Sequence, residues 1–225
     1  MNPAYLATGL WNMFPGKLND AGRPDAWQEG TLADLAKLNP ESWGASTYPA
    51  EIRYVDLSNT KWGTVESTEV HDKESAPSRA QRIIRAGDTI VGTVRPGNGS
   101  YALIGEDGLT ASTGFAVLRP KHPRYREFIY LAATSAENIE RLAHLADGGA
   151  YPAVRPEAVI ATALPGFDET ALNHFSEVTS PLIEKIEANK RATRALAETR
   201  DILLPKLMSG EVSLKDAEKQ VEEPL

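Results

Sequence analysis

The sequence contains no cysteine, and this absence removes three kinds of site at once. A chain without thiols forms no disulfide, has no cysteine nucleophile and offers no cysteine ligand to zinc. The histidines show no His-x-x-x-His spacing, and they stand apart at His71, His122, His144 and His174. We therefore expect no metal in this chain.

Long hydrophobic runs are also missing. No window approaches the ~18 consecutive apolar residues of a membrane span, and the first residues lack the basic segment and the apolar core of a signal peptide. We therefore expect a cytoplasmic protein with no membrane partner. With 225 residues, of which 41% are hydrophobic, the chain is long enough to bury a substantial core.

The motifs of the common enzyme classes are absent as well. The sequence has no Gly-x-x-x-x-Gly-Lys-Ser/Thr phosphate loop, no Gly-x-Ser-x-Gly elbow, no His-Glu-x-x-His and no dinucleotide-binding fingerprint. Asp56, Glu66 and Asp88 could act as an acid and a base in some folds, but such carboxylates more often cap turns or lie on the surface. The sequence favours a protein that is not an enzyme, and a catalytic site of unrecognised type is a remote alternative.

The net charge of −7 argues at first against a nucleic-acid partner, because phosphate binding requires clustered lysine and arginine. The charge is unevenly distributed, since residues 51–130 hold 11 basic and 10 acidic side chains and every other segment is acidic. Within this part of the chain Arg79, Arg82, Arg85 and Arg95 lie close together in sequence. This cluster fits either a nucleic-acid contact or a solvated charged face.

The first part of the chain is irregular. Residues 1–25 are interrupted by proline and glycine and predict an arm that docks on a core. Thr31 is a candidate N-cap. It precedes Leu32, Leu35 and Leu38, whose helical spacing predicts a short helix or turn.

The pattern then changes to that of a sheet. Between residues 52 and 120, short runs rich in β-branched and aromatic residues alternate with Gly, Pro, Asn and Asp. Residues 123–149 predict two helices, with Ser135 as N-cap of the second and Gly148 just beyond its end. A loop and a strand over residues 150–165 complete a fold of the α+β class.

A long helix is predicted over residues 168–210, because no glycine occurs in the 42 residues before Gly210. Pro181 could kink this helix or begin a second segment. Alternating steps of four and three from position 182 give a seam in which five of eight residues are apolar, namely Leu182, Ile186, Leu196, Leu203 and Leu207. This seam predicts pairing with a second helix, and the alternative is a helix that lies back on its own sheet domain.

The stretch "GDTIVGTVRPGNGSYALIG" predicts a hairpin whose tip is Arg95 to Ser100. A tight turn explains Gly97-Asn98-Gly99, because such turns use residues that tolerate positive φ. It does not explain Arg95, Ser100 or Tyr101. A rigid loop that presents a guanidinium, an amide and hydroxyls could read DNA, since Arg can bond guanine and Asn can bond adenine in the major groove.

Several stretches of the chain resemble the specificity subunits of type I restriction-modification systems. The most specific is "LAETRDILLPKLMSGEVSL", residues 196–214, which resembles the end of the long conserved helices of those subunits apart from Thr199, where Leu is common. "PLIEKIEANKRATRAL" fits the same helix, and "LPGFDETALNHF" is similar to its Leu-Pro-Pro start with Gly166 at the second Pro. "GLWNMFPGKL", "GRPDAWQEGTLADLA", "AGDTIVGTVRP" and "TASTGFAVLRP" are similar to parts of a target recognition domain.

The resemblance implies an α+β protein in which a globular, sheet-containing target recognition domain precedes a conserved helix that pairs as an antiparallel coiled coil. It implies a target recognition domain over residues 1–167, the conserved helix over 168–210 and an acidic tail over 211–225. Family members usually contain each part twice, and one of each is found here without an internal repeat. The chain therefore resembles half of a specificity subunit, either a natural half-length protein or a fragment.

The resemblance also implies the partners. The chain would read one half of a split site in double-stranded DNA and would bind methyltransferase subunits and, in a larger complex, restriction subunits. We add the hypothesis that two copies pair through residues 182–208 as a homodimer that corresponds to a full-length subunit. S-adenosylmethionine and ATP would be bound by those partners, so no cofactor is expected on this chain. The residues that we predict to contact DNA are Arg95, Asn98, Ser100, Tyr101, Arg79, Thr113 and Tyr151 at bases and Lys61 and Arg155 at phosphates.

Two alternatives remain for parts of this interpretation. Thr113 and Tyr151 could serve packing alone. The whole chain could be an interaction protein that exchanges into such complexes, or blocks them, without reading DNA.

Overall fold

The computed structural model describes residues 28–146 and 152–211, which form the predicted α+β fold. The strands are β1 (Gln28–Thr31), β2 (Ala36–Leu38), β3 (Glu51–Val55), β4 (Thr60–Lys61), β5 (Thr64–Val65), β6 (Glu69–Asp72), β7 (Ala80–Ile84), β8 (Thr89–Gly92), β9 (Tyr101–Leu103), β10 (Leu109–Ser112), β11 (Phe115–Pro120) and β12 (Ala163–Phe167). The α-helices are α1 (Leu32–Leu35), α2 (Arg126–Thr134), α3 (Ala136–Ala146), α4 (Pro156–Ile160) and α5 (Glu169–Met208).

Two four-stranded sheets form the centre of the globular part. Their strand orders are β6-β3-β10-β7 and β2-β11-β8-β9, and β3 and β10 are parallel neighbours while the other pairs are antiparallel. Side chains from both sheets share one core, whose buried members are Val55, Ile84, Ile90, Ala102, Ile104, Leu109, Ala111, Phe115 and Val117. Burial of this apolar surface is the main stabilising contribution, about 25 cal/mol per Å² removed from water.

The short helix predicted after Trp27 is only one turn long. The Asp34 carboxylate accepts a hydrogen bond from the backbone N–H of Thr31 at 2.7 Å, which caps α1. Leu32 and Leu35 are buried as expected. Leu38, which was predicted to lie on this helix, belongs instead to β2, because pairing with Leu118 of β11 draws it into the sheet.

Two helices follow the sheets, as predicted. Every residue of α2 from Glu127 to Thr134 is buried, in keeping with a helix that packs against the second sheet. The Ser135 hydroxyl accepts a hydrogen bond from the backbone N–H of Asn138 at 3.2 Å, so the predicted cap of α3 is confirmed. Gly148, expected just beyond α3, lies outside the described residues, as do the arm over residues 1–25 and residues 212–225 of the tail.

The start of α5 is fixed by contacts within the globular part. The Asp168 carboxylate accepts from the backbone N–H of Ala171 at 2.6 Å and caps the helix. The Phe175 ring meets that of Phe128 on α2 edge to face, with centroids 5.8 Å apart. Glu169 pairs with Arg124 at 3.0 Å. The first turns of α5 are therefore part of the globular fold.

The helix α5 continues through two prolines and ends just before Gly210, as predicted. It runs from Glu169 to Met208 with Pro181 and Pro205 inside, so Pro181 does not begin a separate helix. Gly210 has φ 74°, and its N–H donates to the carbonyl of Leu207 at 3.2 Å, which is the left-handed termination expected of a C-terminal glycine.

The chain divides into two compact units, one up to Ser180 and one from Pro181. The start predicted for the conserved helix, residue 168, coincides with the cap of α5, whereas the units divide farther along the helix. Within the described residues, no helix is long and apolar enough to cross a membrane.

Candidate nucleic-acid interface

The predicted hairpin is present, and its tip is a single 3-10 turn. Strands β8 and β9 pair antiparallel, and Pro96–Asn98 form the turn between them. Of the three residues Gly97, Asn98 and Gly99, only Gly99 has a positive φ (70°), and the other positive φ at the tip is that of Arg95 (47°). The turn therefore places its strain on the arginine, a residue that seldom adopts this conformation.

Neighbouring elements brace the tip on two sides. The backbone N–H of Arg95 donates to the carbonyl of Pro152 at 2.9 Å. A Cβ atom at Gly97 would lie 3.5 Å from the Cβ of Ala143, so this face of the turn rests on α3. The tip is a supported structure and not a free loop.

A second hairpin, β4–β5, is attached to the other side of the tip. The backbone N–H of Trp62 donates to the carbonyl of Gly99 at 2.7 Å, and that of Gly63 donates to Tyr101 at 2.9 Å. Trp62 itself has φ 48° and is 42% exposed. Trp62 is not among the predicted site residues, although an isolated tryptophan before a glycine in a short strand pair is a signal that indicates it.

Arg95 and Asn98 are the exposed side chains at the tip. In residues 28–146 and 152–211, neither side chain has a hydrogen bond or an ion pair with another side chain. A guanidinium and an amide that are both held on a braced turn are available to an external ligand.

Ser100 and Tyr101 lie inside the fold, so their positions do not support the predicted base contacts. The Ser100 hydroxyl donates to the carbonyl of Leu57 at 3.1 Å, and only 8% of the residue is exposed. Tyr101 is 3% exposed, and burial raises its pKa to about 12. A buried polar group usually has a hydrogen-bond partner inside the protein, as Ser100 does. Both residues therefore belong to the core beneath the tip.

Of the four arginines that are close in sequence, two are occupied by internal contacts. Arg85 forms a two-pronged pair with Glu41 at 2.7 and 3.0 Å, and Arg82 donates to the Ser42 hydroxyl at 3.0 Å. The alternative of a structural charged face therefore applies to these two. Arg79 is exposed, like Arg95.

The fold brings Arg79 and Thr113 together. The backbone N–H of Thr113 donates to the carbonyl of Arg79 at 2.8 Å. Beside them the Asp56 carboxylate accepts from the Tyr54 hydroxyl at 2.8 Å. Burial acts to raise the Asp56 pKa, but hydrogen bonds from Ser58 and Tyr54 and the charge of Arg79 outweigh it, so the pKa is lowered.

Backbone hydrogen bonds connect this pair to the tip. The N–H of Thr93, just before the tip, donates to the carbonyl of Gly114 at 2.8 Å, and Gly114 follows Thr113. The loop that holds Arg79 and Thr113 is thus joined to the strand that leads to Arg95.

The side chains of Lys61 and Arg155, the two predicted phosphate contacts, are exposed on segments that adjoin the tip. Lys61 is the last residue of β4, directly before Trp62. Arg155 precedes α4 and follows the bridge between Val94 and Ala153 that runs beside the tip. Tyr151 lies outside the described residues.

A buried ion pair lies at the start of β8, the end of the strand away from the tip. Arg119 donates to the Asp88 carboxylate at 2.9 and 2.8 Å, and only 1% of the Asp88 side chain is exposed. Arg119 also bonds Glu41 at 2.5 Å. Hydrogen bonds from Arg85 and Arg119 lower the Glu41 pKa to about 2. Among the described residues no three acidic or histidine side chains come together as a metal site.

The sequence is similar to that of one curated protein in particular. The type I restriction enzyme HindI specificity subunit of Haemophilus influenzae is 27% identical over 184 residues, which are 79% of this chain and 39% of that subunit. No family model matches the sequence.

Solved structures give the same result for the fold. The HsdS subunit from Thermoanaerobacter tengcongensis is 27% identical, with a TM-score of 0.53 over 83% of this chain and 50% of its own length. A chain from a structure of the type I R-M system matches with 24% identity and a TM-score of 0.58 over 85% of this chain and 50% of its own. A type I S subunit from M. genitalium has 16% identity and a TM-score of 0.52. The last two matches are below 25% identity, so they are evidence for the fold alone. The chain thus spans about half the length of each solved relative.

Proposed function

From the similarity of this chain to specificity subunits of type I restriction-modification systems, we propose that it recognises one half of a split target sequence in double-stranded DNA. The geometric observation that carries this proposal is the braced tip with exposed Arg95 and Asn98. Phosphate contacts position a protein on DNA, whereas contacts with base edges give specificity.

The tip has the chemistry for direct readout in the major groove. The Arg95 guanidinium can donate two hydrogen bonds to O6 and N7 of guanine, and the Asn98 amide can bond N6 and N7 of adenine. Arg79 and Thr113 form the second part of this reading surface, because their loop is hydrogen-bonded to the strand that leads to the tip. Ser100 and Tyr101 support the tip from inside.

Lys61 and Arg155 are proposed to contact phosphates on either side of the bases that are read. They are few, and the whole chain has a net charge of −7. A methyltransferase subunit would therefore supply much of the phosphate contact in the complex, while this chain supplies base contacts. We expect weak DNA binding by the chain alone and strong binding in the complex, and equal affinity in both states would contradict this division.

A homodimer is proposed on the apolar seam of α5, and two copies together would match the length of each solved relative. The seam on α5, in which Leu182 and Leu196 are exposed and the others half-buried, would pair antiparallel with that of a second copy through Leu182, Ile186, Leu196, Leu203 and Leu207. A two-fold dimer presents two identical reading tips, so it would recognise an inverted repeat with a fixed gap.

Catalysis is assigned to the partner subunits. S-adenosylmethionine for adenine methylation would be bound by the methyltransferase subunits, and ATP by a restriction subunit where one is present. The chain alone is expected to have no enzymatic activity.

The deciding experiment is co-expression of the chain with its methyltransferase subunit, followed by sequencing of modified adenines in the cell's DNA. A split, palindromic motif is expected, since it would report both DNA reading and two-fold pairing. A complex that assembles but modifies no defined motif would instead support an interaction protein that does not read DNA. A split motif with unlike halves would contradict the homodimer and leave DNA reading intact.

A further inference from the structure

Trp62 has three properties that its role in packing does not explain. Several large hydrophobic side chains are exposed in the described part of the chain, and Trp62 is the aromatic one among them. Its surface is 42% accessible. Its φ of 48° is unfavourable for a bulky residue. It is also directly beside the tip that carries Arg95 and Asn98.

The strain at this surface is concentrated. In residues 28–146 and 152–211, only Asn39, Trp62 and Arg95 have positive φ without being glycine. Asparagine tolerates this conformation, but tryptophan and arginine do not. Trp62 donates a backbone hydrogen bond to Gly99, and Arg95 stands at the opposite end of the same turn as Gly99. Backbone strain of this kind persists where the surroundings enforce it, and it occurs often at binding sites.

The indole ring is held in a fixed orientation. A Cβ atom at Gly99 would lie 2.7 Å from the indole Cδ2 and Cε3 atoms, so one face of the ring is covered by the tip backbone. The Tyr101 ring meets the indole at 86° with centroids 6.1 Å apart. With 42% of the residue exposed, the uncovered part of the ring is accessible beside the tip that carries Arg95 and Asn98.

An apolar ring on a surface that reads duplex DNA has a limited choice of targets. Base faces are stacked inside the duplex, and base edges in the major groove are polar except for the methyl group of thymine. We propose that Trp62 is a further specificity-determining residue, and that its indole contacts the C5-methyl group of one thymine in the half-site. This inference rests on the proposed function and adds an apolar contact to it.

The test uses the complex of the full chain with its methyltransferase subunit. Once the modified motif is known, duplexes are prepared in which each thymine of the half-site is replaced singly by deoxyuridine, which lacks the methyl group. For the wild-type complex one replacement should lower kcat/KM for methylation about fourfold, as expected for the loss of one buried methyl group.

The variant Trp62→Ala should lose this discrimination, so that thymine and deoxyuridine duplexes react at equal rates. Trp62→Phe should keep part of it, since it retains an apolar ring, and it guards against a folding defect in the alanine variant. Val70→Ala removes a hydrophobic side chain that is 63% exposed on β6, and it should leave the fourfold ratio unchanged.

Two negative results are distinguishable. A wild-type complex that modifies no motif would overturn both the proposed function and this inference. A motif that is read equally well with every thymine replaced, or a deoxyuridine effect that persists in Trp62→Ala, would overturn the inference alone.

Discussion

The backbone N–H of Trp62 donates to the carbonyl oxygen of Gly99 at 2.7 Å, and the indole of Trp62 covers the glycine Cα. This pair fastens the β4–β5 hairpin to the tip at Pro96–Asn98. The contact is possible only because residue 99 has no side chain.

Gly99→Ala should therefore destabilise the protein. The new methyl group meets the indole at 2.7 Å, and φ is 70° at this position. Left-handed strain of about 1–2 kcal/mol and overpacking of about 1–3 kcal/mol both lower the free energy of unfolding, which urea denaturation measures. Gly105→Ala is the matched control, because no atom lies within 4 Å of its added Cβ. It should lower the free energy of unfolding less than Gly99→Ala does.

Replacing Arg95 with alanine should change recognition without changing stability. The side chain is exposed, so the free energy of unfolding should stay within about 0.5 kcal/mol of the wild type. In the methyltransferase complex, discrimination at one base pair should fall by about 1–3 kcal/mol. Methylation rates on duplexes with single base changes measure this loss.

Lys61→Ala provides the contrast to Arg95→Ala. A lost phosphate contact weakens binding to all sequences alike and reduces the salt dependence by about one unit of slope. If Arg95→Ala behaved in the same way, Arg95 would be a phosphate contact and not a base contact.

Acid should weaken the Glu41 ion pairs in a defined range of pH. Hydrogen bonds from Arg85 and Arg119 hold the Glu41 pKa at about 2, below its ordinary 4.5. Because the pKa is lower in the folded state, the stabilisation is complete above pH 4.5 and is lost as the pH falls through about 2. The difference in unfolding free energy between wild type and Glu41→Gln should shrink over this range.

Denaturation curves at a series of pH values would measure that difference. Glu51→Gln, on an exposed residue of β3, controls for the loss of one negative charge. A difference between wild type and Glu41→Gln that stays constant from pH 5 to pH 2 would contradict the ion-pair account.

Leu196→Glu should weaken the proposed dimer. Leu196 is 65% exposed and belongs to the apolar seam of α5. A charge at a seam position is costly to bury, so the dissociation constant in analytical ultracentrifugation should rise at least about tenfold, which corresponds to 1.4 kcal/mol. Ile202→Glu is the control, since Ile202 is 61% exposed but lies off the seam. Equal effects of both substitutions would argue against the predicted register.

The sequence was informative where structure depends on local preference. The caps at Thr31 and Ser135, the hairpin and the stop at Gly210 each follow from a short pattern, and each is present. The most specific part of the resemblance to specificity subunits, residues 196–214, is also a local pattern.

Long-range contacts decided what the sequence did not predict. The exposed, strained state of Trp62 depends on a glycine far along the chain. Burial of Ser100 depends on the carbonyl of Leu57, which no pattern around Ser100 indicates. Leu38 has helical spacing, yet its pairing with β11 outweighs that preference.

The pairing of β1 with β12 has a consequence for how such a protein can change. Gln28 lies opposite Phe167, so the two ends of the sheet-containing part are neighbours, about 5 Å apart across a strand pair. A segment whose two ends are adjacent can be replaced by another segment of the same fold without moving the rest of the chain. If the chain reads DNA as proposed, a new base preference could be acquired by replacement of this segment, while the helix that follows Asp168 keeps its sequence.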